Sequence, residues 1–346
     1  MASTPKSRRK PNNICKLKVK ENITWIAIAK AIAIISVISV HAQLLNLSTG
    51  ESFAFCSTIK DLMTPWDMAL FFSLSGGLLY TTRIKRKISV GKLYKDKIVR
   101  TLVPFAFFVV VYFCVKIFVG QGAKTPVHAS CDLFVRSFFF YEGMPSAFLW
   151  FLPTLFDLML LHPLYVFVCK QKWLECGFLL LSLILYFLDL ECFWQYGAFG
   201  WCYVSRYLVY FFLGIVAFKN NLCRHLDNVI ALLISAAILT VGIWFQVPLL
   251  HGLGGVATAL SISMLIAHRF SAIFSSFRDY IFQIYLLSMF FQGVVELVLW
   301  RRFYNENLII PFFLLNVLSG IYGPVFVTKI VKRIPFKAFR LCFGMK

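Results

Sequence analysis

Apolar runs of roughly 20 residues recur along the chain, parted by short polar segments dense in Lys and Arg. At about 1.5 Å of rise per residue, a run of that length crosses the roughly 30 Å hydrocarbon core of a bilayer as one helix. The pattern predicts ten such helices, at roughly 23–45, 62–82, 101–119, 146–169, 174–190, 198–218, 229–247, 252–268, 280–300 and 308–331. The runs are continuous, without the apolar–polar alternation of a membrane barrel. One further apolar stretch, Cys131–Tyr141, is too short to span; within the segment 120–145 it reads as a re-entrant or interfacial piece. The predicted fold is all-α: a polytopic integral membrane protein of about ten transmembrane helices.

Charge orients this layout. Only 14% of the residues are charged, yet the net charge is +20. In a soluble chain that excess would suggest a nucleic-acid partner. Here 27 of the 35 Lys and Arg residues fall in segments that ten crossings place on one side, and five fall on the other. Positive residues are retained in the cytoplasm, so both termini are expected there and no nucleic acid is implied. The layout reads as a basic cytoplasmic tail, 1–20, and one transmembrane domain, 21–346, with a short basic cytoplasmic end. The ten cysteines are scattered, mostly within apolar runs, and no C-x-x-C occurs. They predict neither a disulfide framework nor a metal site.

The first run, Ile23–Leu45, holds two residues that hydropathy does not explain, Lys30 and His41. Eleven residues apart, they differ by roughly 20° around a helix and lie about 16 Å apart along it. Each has an ordinary explanation alone: Lys30 can snorkel to the headgroups, and His41 can sit at the far interface. Together they mark one face with two groups that are costly at membrane depth, and this favours a functional interior.

Several segments resemble, in order and spacing, the integral-membrane acyltransferase 3 family of bacterial O-acyltransferases. Lys30 and His41 fit its Arg/Lys-x10-His pattern. FFSLSGGLLY (Phe71–Tyr80) is similar to its FF-x-x-SG segment, and KIVRTLVPF (Lys97–Phe105) to its Arg-x-x-Arg motif. LWFLPTLF (Leu149–Phe156), SRYLVYFFLGIVAFK (Ser205–Lys219) and IYGPVFVTKIVKRIP (Ile321–Pro335) also fit. The likeness runs from about Trp25 to Phe343. Lys97 stands where the family usually has Arg, keeping the charge but not the bidentate fork. Ser288 stands where a late histidine is common.

The resemblance implies acetyl-CoA as acyl donor and the bacterial cytoplasmic (inner) membrane as location. It also implies a sugar or glycan hydroxyl as acceptor, at the cell surface or on a lipid-linked precursor. On that reading Lys30, Lys97 and Arg100 hold the CoA phosphates, and His41 is general base or acyl relay. Asp67, Trp150, Glu142 and Arg206 are weaker candidates for the acceptor, and Trp66 is a further aromatic platform. No obligate protein partner and no metal are expected. The competing reading is a polytopic transporter or flippase of a small or lipid-linked solute, for which broken helices in repeat-related positions would speak. No Walker loop, H-E-x-x-H or G-x-S-x-G is present.

Overall fold

A computed structural model describes residues 13–120, 129–140, 144, 146–188 and 198–345. Among them there is no strand. The α-helices are α1 (Asn13–His41), α2 (Ala54–Leu79), α3 (Val90–Lys97), α4 (Val103–Val119), α5 (Cys131–Phe139), α6 (Phe151–Leu160) and α7 (His162–Val168). They continue as α8 (Lys172–Phe187), α9 (Trp201–Lys219), α10 (Val229–Trp244), α11 (Pro248–Arg269), α12 (Ile281–Val294), α13 (Ile309–Val331) and α14 (Lys337–Cys342). Single π-helical turns extend α2 (Tyr80–Ile84), join α3 to α4 (Ile98–Leu102) and extend α12 (Val295–Trp300).

Each of the ten predicted runs is helical. Six helical stretches are long and apolar enough to cross a bilayer, and a seventh is if α6 with its preceding turn and α7 form one span bent by 48°. The helices of the other three runs fall short of that standard. α2 carries Lys60, Asp61 and Asp67, and α8 and α10 have 16 residues each. The chain is a multi-pass, all-helical membrane protein.

Three boundaries differ from the sequence pattern, each for a local reason. The first helix stops at His41, short of Leu45, and the second begins at Ala54. Between them Leu45 bridges Ser52, the Asn46 side chain accepts from the amides of Ser48 and Thr49, and Gly50 takes a φ of 75°. That is a tight turn built by an Asn and a left-handed Gly. The basic loop 83–100 is largely helical, because α3 runs through the π turn into α4. The fourth run breaks at Leu161, and its freed Leu160 carbonyl accepts from the Tyr94 hydroxyl at 2.7 Å.

α1 lies inside the bundle, against α2, α11, α12 and α13. Ala29, Ala31 and Ala33 on it are fully buried, and their small side chains let the neighbouring helices close in. The α2–α9 crossing is closer still. A Cβ at Gly76 would meet the Phe211 carbonyl oxygen at 1.9 Å, and one at Gly214 would meet that of Ser73 at 1.9 Å. Both glycines belong to segments singled out in the sequence. Their role is close backbone approach.

Candidate functional site

Two π-helical turns carry the cations of the basic end. Tyr80–Ile84 holds Arg83 and Ile98–Leu102 holds Arg100. A π turn inserts one residue into the helical repeat and re-aims the side chains that follow it. The hairpin between α2 and α3 folds Arg83 onto Asp96, Nη2 to Oδ2 at 2.6 Å. Next to Asp96, the half-buried Lys97 lies within electrostatic reach of Arg83, Arg100, Lys30 and Asp96. The structure thus gathers Lys30, Lys97 and Arg100, the three cations picked out in the sequence, and adds Arg83. Around Lys97, three further cations and one carboxylate lie within electrostatic reach, which leaves a net positive field that suits a phosphorylated ligand.

Arg83 also lies within electrostatic reach of His162, at the first turn of α7. His162 is buried, and neither ring nitrogen has a hydrogen-bond partner among the described residues. Neither residue stood out in the sequence. A cation one turn beyond the FFSLSGGLLY segment was the one available signal for Arg83. His162 drew no role from the sequence; its surroundings depend on the break at Leu161, which Pro163 in the first turn of α7 marks.

His41 ends α1, is exposed, and is joined to Lys30 by unbroken helix, about 16 Å away along the axis. The carbonyls of a helix's last turn have no partner within it. Here all four find one. Ile38 accepts from the Gln292 side-chain amide at 2.9 Å, and Ser39 from the Ala42 amide at 3.3 Å. Val40 accepts from the Gln43 side-chain amide at 3.0 Å, and His41 from the Gln43 amide at 2.8 Å. The Gln43 side chain also donates to the Cys56 carbonyl at the start of α2. The turn that carries His41 is therefore held from α2 and α12.

The remaining candidates scatter. Asp67 is buried in α2, where it accepts from the Met68 amide. It lies eleven residues, about 16 Å of helix rise, beyond Cys56, and so well inside the bundle relative to the His41 end. Trp66 bonds the Leu62 carbonyl and packs on Gly255 of α11, so it fills space between helices. Trp150 stacks on Tyr203 at 4.1 Å and leans on Tyr207 and Phe72. Arg206, on the same first half of α9 as Tyr203 and Tyr207, faces the neighbourhood of the Tyr210 hydroxyl. Trp150 and Arg206 therefore belong to one aromatic region, at the end of α9 away from Lys219. Glu142 lies outside the described residues. Among the described residues, no three His, Cys, Asp or Glu side chains gather as a metal site would need.

A cavity of about 610 Å³ opens at the basic end between Trp25, Tyr80, Phe218 and Arg224. It holds none of the gathered cations. Three of its polar residues are already paired, His268 with Asp227 at 2.9 Å, and Lys219 with Glu175. A second cavity, of about 480 Å³, is lined by Arg100 and Asp96 and so borders the cluster.

No curated protein and no solved structure matches the chain. The model of the acyltransferase domain family known as acyltransferase 3 does match, over residues 23–329. That stretch holds α1 from Ile23 onward, the paired π turns and nearly all of α13. With Lys97 and Arg100 drawn towards Lys30 midway along α1, and His41 at the end of that helix, the chain belongs to the acyltransferase 3 family of membrane acyltransferases.

Proposed function

We propose that the protein is a membrane O-acetyltransferase. It takes acetyl groups from cytoplasmic acetyl-CoA and delivers them to a hydroxyl of a cell-surface sugar or lipid-linked glycan precursor. The observation that carries this reading is a group of cations around Lys30 and an imidazole at His41, about 16 Å apart along one buried helix. Lys30, Lys97, Arg100 and Arg83 hold the CoA phosphates through charge-assisted contacts. The pantetheine arm extends along α1 and brings the thioester towards His41.

At His41 the imidazole takes the proton of the acceptor hydroxyl. The hydroxyl oxygen bonds to the thioester carbonyl carbon, the carbon–sulfur bond breaks, and the CoA thiolate leaves and is reprotonated. A relay uses the same residues in two steps, with the acetyl group first on the imidazole and then on the hydroxyl. An acetyl-imidazole trapped by rapid quench and mass spectrometry selects the relay. Trp150, Arg206 and their tyrosine neighbours are the acceptor-side candidates, with Asp67 deeper in the bundle and Glu142 in the segment 120–145.

In this reading ten helices cross a bacterial cytoplasmic membrane, and both termini and the cation cluster face the cytoplasm, where CoA is kept. The excess of Lys and Arg at that face supports the orientation. A transporter would be expected to break two helices in repeat-related positions; among the described residues one bent pair is found. The first test is binding. The purified full chain should bind acetyl-CoA with an affinity that falls as salt rises. Absence of binding by the intact protein at low salt would refute the donor assignment.

A further inference from the structure

The family match ends at residue 329, but the chain continues and folds back. α13 ends at Val331, and Lys332 sits over the Tyr280 ring, 4.3 Å from its centroid. The chain then turns into α14, which lies along α4. Behind it Phe343 is buried, edge-on to Phe108 at 5.4 Å and near Phe107 at 6.0 Å. Gln283 of α12 donates to the Phe343 carbonyl at 2.9 Å. Gly344 follows with a φ of 68°, pressed so closely on Phe282 that a Cβ would meet the ring at 2.4 Å. Met345 is buried as well. These contacts dock the C-terminal segment as a fixed part of the bundle.

What it docks beside is the cation cluster. The cavity of about 480 Å³ has two walls. Lys95, Asp96, Val99 and Arg100 form one, and Lys337, Leu341, Gly344 and Met345 form the other. Its charged lining is three cations and one carboxylate, and that carboxylate is already bound by Arg83. Arg340, one turn beyond Lys337, adds a further positive charge to this segment, and its buried Nε has no partner among the described residues. Like charges gathered around a cavity repel one another unless an anion joins them. Val99, Leu341 and Met345 make part of both walls apolar, which suits a flat ring system better than bare phosphate.

From this geometry we infer that the C-terminal segment Lys337–Met345 is the second wall of the donor site. Lys337 faces Lys95 and Arg100 across a cavity that takes the phosphorylated adenosine end of CoA. The inference rests on the donor reading above and extends it to residues outside the family match. Lys337 supplies a charge to the ribose phosphate, Arg100 is shared between this cavity and the inner cluster, and Phe343 holds the wall in place.

The test compares CoA with dephospho-CoA, which lacks the ribose phosphate, on the purified full chain. The wild-type protein should prefer CoA. Lys337→Gln should weaken CoA about tenfold, the size of one charge-assisted contact, and leave dephospho-CoA nearly unchanged. Phe343→Ala, which undocks the wall, should lose the same preference without loss of the folded bundle. Arg100→Gln should weaken both ligands. If Lys337→Gln and Phe343→Ala both keep the wild-type preference and affinity, the inference is wrong while the donor reading stands. If the wild type binds neither ligand, both fail together.

Discussion

The side-chain amide of Gln292 donates to the carbonyl of Ile38 at 2.9 Å, in the last turn of the helix that ends at His41. The two residues are 254 positions apart in the chain. Gln292 is almost completely buried, so its amide offers α1 a partner that solvent does not. Gln292 therefore acts as a positioning residue for His41. Gln292→Leu should lower turnover about tenfold, an effect of roughly 1.4 kcal/mol, with little change in the KM for the donor. A variant whose KM rises while its turnover holds would place Gln292 in the donor site instead.

The α2–α9 crossing sets a stability prediction. Any side chain at Gly76 or Gly214 meets backbone rather than the end of a flexible side chain, so the helices must separate. Gly76→Val and Gly214→Val should each cost about 1–3 kcal/mol and lower the thermal midpoint of the purified protein. Both substitutions widen one crossing, so the double variant should lose less than the sum of the two. Strict additivity would mean that they disturb separate contacts.

Arg83 is expected to behave as Arg100 does. Because Arg83 is drawn to the cluster through Asp96 and neighbours Lys97, Arg83→Gln should raise the donor KM several-fold at low ionic strength. The gap from wild type should narrow at high salt, where screening has already weakened the field. Steady-state kinetics at two salt concentrations checks this. An Arg83→Gln enzyme with an unchanged donor KM would leave the cluster with the three cations read from the sequence.

Cys223, in the turn between α9 and α10, gives a pH prediction. Burial disfavours its thiolate and pushes the thiol up to about 11 from an ordinary 9.0. The reactive form is the thiolate, so a raised value means slow reaction below it. In a variant retaining Cys223 alone, maleimide labelling at pH 8 should run about a hundredfold slower than for an ordinary thiol. The rate should climb about tenfold per pH unit towards 11. Labelling at the ordinary rate at pH 8 would show that the thiol is open to water.

The sequence was most informative where a relationship lies within one helix. Lys30 and His41 share α1, and Lys97 and Arg100 flank one turn, so spacing alone placed each pair. The turn after His41 was also written in Asn46 and Gly50, although the apolar pattern ran past it to Leu45. Long-range placement was not legible. Arg83 meets Asp96 through a hairpin, and Gln292 reaches Ile38 from another helix. Trp150, a weaker acceptor candidate in the sequence, has Tyr203 stacked on it, a contact that spacing does not register. The helical character of the ten apolar runs was readable. The break at Leu161 had its signal in Pro163, which removes a helical N–H, although apolar periodicity runs through it.

The measurement that bears most directly on the whole account is the O-acetyl content of surface glycans in a strain lacking this protein. That content should be restored by the wild-type chain and should stay at the deletion level with His41→Ala, when both proteins are present in the membrane in equal amount. Full restoration by His41→Ala would contradict the account, because the imidazole at the end of α1 would then take no part in the transfer.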